Sequence, residues 1–137
     1  MNILIAEDEV LHRELLANIL AQWPEHTVTL VEDGQAAWKL LTDPKLLFDL
    51  VFLDVKMPNL GGLELLQRLR ETALRRSAKF VMCTCVDDRT TISKAILLGC
   101  KRYILKPCTS SVVAQTLRQV GASSTPPIST GTANSPV

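Results

Sequence analysis

Residues 50–62 read Leu50-Val51-Phe52-Leu53-Asp54-Val55-Lys56-Met57-Pro58-Asn59-Leu60-Gly61-Gly62. Leu50–Leu53 is a continuous apolar run of strand length, preceded by Phe48 and Asp49. A strand with no polar face is buried on both sides, as in a parallel sheet covered by helices. The run stops at a carboxylate, Asp54. Gly61-Gly62 then breaks the chain before Leu63, Leu66 and Leu69, which share one helical face. This is a strand, a loop and a helix, with an acid at the strand's carboxyl end.

The same unit recurs in both directions from this stretch. Asn2–Ala6 reads as a buried strand. Val10–Trp23 follows as a helix, with Leu11, Leu15, Leu16, Ile19 and Leu20 on one stripe and Pro24 as its stop. Thr27–Val31 is β-branched and strand-like, and Gln35–Leu41 is a short amphipathic helix after the Asp33-Gly34 turn. Downstream, Phe80–Thr84 is a strand, Asp87–Leu98 a helix closed by Gly99, and Arg102–Leu105 a strand. Ser110–Val120 is a last helix with Thr109 as N-cap. Five βα units predict an α/β domain with helices on both faces of a parallel sheet.

The 137 residues fit one domain, and 47% hydrophobic content is enough for a core without disulfide or metal support. The expected division is a domain over residues 1–120 and a disordered Ser/Thr/Pro-rich tail or linker over 121–137. Fifteen Lys and Arg against 14 Asp and Glu leave a net charge of +1. That balance gives no reason to expect direct nucleic-acid binding or a membrane surface. A local basic run, Arg68, Arg70, Arg75, Arg76 and Lys79, reads as a solvated helix end. There is no membrane-length apolar stretch and no basic leader before Ile3, so the expected location is cytoplasmic. Cys83, Cys85, Cys100 and Cys108 are accordingly expected to be reduced and to pack as small hydrophobes.

In an open parallel sheet, ligands bind beyond the carboxyl ends of the strands. Reading the residues at those ends tests for a site. Glu7-Asp8 follows the first strand, Asp54 the third, Thr84 ends the fourth, and Lys106-Pro107 follows the fifth. Taken singly, each has a plain structural reading as a cap, a strand residue or a surface lysine. Together they place three carboxylates, a hydroxyl and a lysine at one edge. Neighbouring carboxylates repel, and a bound dication relieves the repulsion. Hard oxygen donors suit Mg²⁺, or Mn²⁺. With a lysine for phosphate oxygens and a carboxylate nucleophile, the set matches phosphoryl transfer.

These residues resemble the response-regulator receiver family over about residues 1–120. The strings that carry the likeness are Ile5-Ala6-Glu7-Asp8-Glu9, Leu53-Asp54-Val55-Lys56-Met57-Pro58, Gly61-Gly62, Met82-Cys83-Thr84 and Tyr103-Ile104-Leu105-Lys106-Pro107. The resemblance implies a flavodoxin-like (βα)5 sheet of order 2-1-3-4-5. It implies Asp54 as phosphoacceptor, and Asp8, Glu7, Asp54 and the Lys56 backbone carbonyl as metal ligands. Thr84 and Lys106 would bind the phosphoryl group, Thr84 and Tyr103 would form the switch, and the Lys106-Pro107 peptide would be cis. Such a domain is not an enzyme beyond its own phosphorylation and dephosphorylation.

The partners so implied are a histidine kinase or a histidine phosphotransfer protein, docking near His12, Arg13 and Asn18. An output partner, or an output domain in a longer chain, would read the surface of roughly Asp87–Gln119, where Lys94, Lys101, Arg102 and Arg118 lie. That surface would also serve a homodimer. Two departures stand out: Glu7-Asp8 where the family more often has two aspartates, and Cys85 where alanine is common. Two rival readings are a degenerate receiver that binds partners without phosphorylation, and a Mg²⁺-dependent aspartyl-phosphate phosphatase. The latter wants a second aspartate two residues after the first, where this chain has Lys56.

Overall fold

The computed structural model describes residues 1–72 and 77–121. Ten elements alternate along the chain: β1 (Asn2–Ala6), α1 (Val10–Leu20), β2 (Thr27–Val31), α2 (Gly34–Leu41), β3 (Leu50–Leu53), α3 (Gly62–Glu71), β4 (Lys79–Thr84), α4 (Arg89–Leu97), β5 (Arg102–Leu105) and α5 (Ser110–Gln119). All strand pairs are parallel, in the order β2-β1-β3-β4-β5. This is the expected flavodoxin-like arrangement.

Two apolar layers flank the sheet, and the period-two alternation of strand side chains assigns residues to them. Ile3, Ile5, Leu50, Phe52, Val81 and Cys83 pack under α1 and α5 with Leu16, Leu20, Val113 and Leu117. Leu4, Ala6, Val51, Leu53 and Met82 face the other way, against α2, α3 and α4, with Ala37, Leu41, Leu65, Leu66 and Ala95. Every residue of β3 is buried. Each large side chain so buried contributes roughly 1.5–3 kcal/mol.

Four expectations change. First, α1 stops at Leu20 rather than running to Trp23, whose indole is buried in the turn that follows. Leu11 and Leu15 are not core residues: they are 82% and 38% exposed, because only Leu16, Ile19 and Leu20 face the sheet. Second, α4 begins at Arg89 because Asp88 is its cap, accepting from the Thr91 amide. Third, the Cys83 and Cys108 sulfurs are paired across the core rather than packed as separate small side chains. Fourth, Cys85 is an exposed free thiol, since β4 ends at Thr84 and no longer holds it in the core.

Of the basic run, Arg68 lies over the Trp38 ring at 5.5 Å and Arg70 donates to the Leu97 carbonyl at 2.6 Å, so both are engaged by the fold. Arg75, Arg76 and the tail from residue 122 lie outside the described residues. Among the described residues no helix is long and apolar enough to cross a membrane.

Candidate functional site

The sheet order reverses between β1 and β3, and parallel pairing lines up the carboxyl ends of the strands. Asp54 leaves β3 with its amide donating to the Ala6 carbonyl at 3.2 Å, so Asp54 and Glu7 emerge side by side. Across the sheet, the Lys106 amide donates to the Thr84 carbonyl at 3.0 Å. Backbone pairing alone therefore sets the four sequence-distant residues around one point. The peptide bond before Pro107 is cis, as expected.

The centre of the site is the Lys106 ammonium. Its Nζ lies 2.7 Å from Glu7 Oε1, 2.6 Å from Glu9 Oε1 and 2.7 Å from Asp54 Oδ2. Three N–H donors meet three carboxylates, and the side chain is only 2% exposed. The carboxylate oxygens of Glu7, Glu9 and Asp54 lie within 4.8 Å of one another. A cavity of about 310 Å³ opens above them, lined by Asp8, Glu9, Asp54, Lys56, Thr84, Cys85, Val86 and Lys106.

The electrostatics separate the two buried acids. Burial pushes the Glu7 carboxyl up to about 7, against the pull of Lys106 and the Glu9 amide. Burial also acts upward on Asp54, but hydrogen bonds from Lys106, Thr84 and Glu7, with the lysine charge, hold it below the usual carboxylate range. A protonated Glu7 can thus donate to an ionised Asp54, leaving that acid with available lone pairs. Lys106 is pushed further above its ordinary value: its three carboxylate partners outweigh the desolvation that opposes them.

Thr84 is fully buried, and its hydroxyl accepts from the Val86 amide at 3.3 Å. Tyr103 is half-buried, and its hydroxyl donates to the Val86 carbonyl at 2.6 Å. Burial pushes that phenol up to about 12. Gly62 supports Asp54 from below: a Cβ there would overlap the Asp54 carbonyl oxygen. Arg13 donates from Nη1 to the Glu7 carbonyl at 2.7 Å.

Of the residues singled out in the sequence, Asp8, Asp54, Lys56, Thr84 and Lys106 line this one cavity. Glu7, Asp54 and Lys106 are brought into direct contact. Asp8 and Lys56 line the wall and are exposed, while Tyr103 reaches the site only through the loop after β4. Glu9 was missed. It is the third acid of Glu7-Asp8-Glu9 and occupies the cap position of α1, the bland reading of an acid there. Its side chain makes no cap bond, and so is free to reach Lys106. The oxygen-only donor set is of the kind that holds a hard dication.

A family model described as "Response regulator receiver domain" matches residues 3–118. The chain belongs to the response-regulator receiver family. This receiver is 31% identical over 109 residues to a probable chemotaxis protein CheY of Rhizobium etli, covering 80% of this chain and 83% of that one. It is 30% identical over 122 residues to the 3',5'-cyclic-nucleotide phosphodiesterase regA of Dictyostelium discoideum, covering 88% of this chain but only 15% of that protein's length. In fold, the receiver superimposes on the chemotaxis protein CheY4 of Vibrio cholerae with a TM-score of 0.75, at 22% identity, over 87% of this chain and 97% of that one.

Proposed function

We propose that this receiver takes a phosphoryl group onto Asp54 from a histidine kinase or histidine phosphotransfer protein and reports it through the surface formed by α4, β5 and α5. The observation that carries the reading is the Asp54 carboxylate held at 2.7 Å from the buried Lys106 ammonium at the floor of an open, acid-lined cavity.

The residues divide the work. Asp54 is kept ionised, so its oxygen attacks phosphorus while the bond from phosphorus to the donor's leaving group breaks. Lys106 already sits on Asp54 and turns its N–H bonds to the phosphoryl oxygens, neutralising charge gained there. The Thr84 hydroxyl donates to the same group, and its displacement disturbs Val86 and with it the Tyr103 hydrogen bond. Asp8, Glu7, Asp54 and the Lys56 carbonyl would hold Mg²⁺ or Mn²⁺, with Glu9 as an additional donor. The bound cation supplies charge neutralisation for the transferring group. The conformational response is a population shift: the phosphoryl group adds charge and acceptors at one end of β3, and the state that binds them best becomes the major one. Such a protein works in the cytoplasm and is not an enzyme towards other molecules.

Incubation with acetyl phosphate and Mg²⁺, followed by intact mass, tests this. One phosphoryl adduct is expected, absent in Asp54→Asn and absent with a chelator. An adduct of equal yield in Asp54→Asn would remove the proposal.

A further inference from the structure

Cys83 and Cys108 lie 25 residues apart in sequence and are bonded to each other in the fold. Their positions matter more than the bond itself. Cys83 immediately precedes Thr84, and Cys108 follows Lys106-Pro107. Strand side chains alternate, so Cys83 points into the core under α1 and α5 while Thr84 lines the phosphoryl cavity. The sulfur bridge therefore spans, from below, the same two segments that carry Thr84 and Lys106 above. The other two thiols do not share this placement. Cys100 is buried and donates to the Arg102 carbonyl, and Cys85 is exposed at the cavity wall.

We propose that Cys83 and Cys108 are a reversible thiol–disulfide site that sets how freely the Thr84 and Lys106 segments move relative to one another, and so couples oxidation to phosphorylation. The coupling rests on the receiver reading; the modification site does not. With hydrogen peroxide as oxidant, one thiol sulfur attacks a peroxide oxygen, the O–O bond breaks and water leaves, giving a sulfenic acid. The second thiol displaces the sulfenic oxygen, which departs as a second water. Two thiols lose two protons and two electrons, and the peroxide gains them. A small dithiol reverses the reaction by two exchange steps and is itself oxidised to a cyclic disulfide.

Both cysteines are only 6% exposed, so the oxidant that fits is a small neutral one, and the exposed Cys85 thiol is shielded from neither oxidant nor alkylating agent. The bridged form restrains β4 against the loop after β5. Lys106 must leave Glu7 and Glu9 for the phosphoryl oxygens and Thr84 must follow, so the restraint opposes the switch. Reduction is expected to raise the rate of phosphoryl uptake.

The test uses the full chain treated with hydrogen peroxide or with dithiothreitol. After peroxide, peptide mapping should place a bond at Cys83–Cys108 with the loss of two hydrogen atoms from that peptide pair, read separately from any oxygen gained at the exposed Cys85. The loss should vanish in Cys83→Ala and in Cys108→Ala and persist in Cys100→Ser. The reduced wild type should take up the phosphoryl group from acetyl phosphate severalfold faster than the oxidised one. Mapping to any other pair, or no loss at all, overturns the site. Equal rates in the two redox forms overturn the coupling. Loss of the hydrogens with no adduct in either form would overturn the receiver reading and the coupling together, while supporting the modification site. The two wild-type arms do not depend on whether the variants fold.

Discussion

One ammonium against three carboxylates defines the site at the scale of single residues. Lys106 is buried, so its removal leaves Glu7, Glu9 and Asp54 facing each other without a counter-charge. Breaking a buried pair by deleting one partner costs about 3 kcal/mol or more. Lys106→Ala should therefore lose about that much stability in a chelator, by urea titration, and recover part of it when Mg²⁺ is added. Failure of Mg²⁺ to recover any would show that the triad is not a cation site.

Glu7 gives a pH dependence whose sign is fixed. Its folded carboxyl is pushed up to about 7, above the ordinary carboxylate value of 4.5, so the folded state holds the proton more tightly between those values. The contribution is complete below the unfolded value and is lost as pH rises through about 7. Asp54 is shifted the other way, and its window lies below the ordinary aspartate value of 3.8. In metal-free buffer the melting temperature should fall between about pH 5 and about pH 8, and Glu7→Gln should flatten that slope. A slope unchanged by the substitution would assign it to another group.

Among the elements, the junction between β3 and α3 ties packing to chemistry most closely. Gly62 opens α3 directly beneath the Asp54 carbonyl, where no side-chain atom fits. Gly62→Ala must push either α3 or the Asp54 backbone aside. We expect a loss of roughly 1–3 kcal/mol, the usual cost of overpacking, and a slower phosphoryl uptake, read by thermal melting and intact mass. Full stability with normal uptake would show that the junction yields freely. The helices differ in how firmly they are held. α5 buries Val113, Thr116 and Leu117, whereas α4 buries only Ala95 and leaves Ile96 and Leu97 in solvent. An element with so little buried surface opens and shifts at low cost.

That asymmetry carries to the whole molecule. The site lies where the sheet order reverses, with β2 and α2 on one side and β4, α4 and β5 on the other. Thr84 and Tyr103 both connect to Val86, on the path from the cavity to α4. Beryllofluoride with Mg²⁺, as a phosphoryl mimic, should change hydrogen exchange in α4 and β5 and leave β2 and α2 as they were. Changes confined to β2 and α2 would place the reporting surface elsewhere.

What the sequence alone determined was whatever depends on local pattern. Continuous apolar strands and single-faced helices dictated five βα units, because the period of burial is written into residue order. Acids, hydroxyl and lysine at strand ends followed, since in a parallel sheet those ends share one edge. Tertiary structure alone decided which side chains meet there. Glu9 looks like a cap until α1 is docked and Lys106 comes within 2.6 Å of it. Leu11 and Leu15 look like core until the helix settles with Leu16, Ile19 and Leu20 inward. Cys83 and Cys108 look like ordinary small core residues until β4 and the loop after β5 set them against each other. Contacts between distant segments depend on how elements pack, and packing is not a property of any one window of sequence.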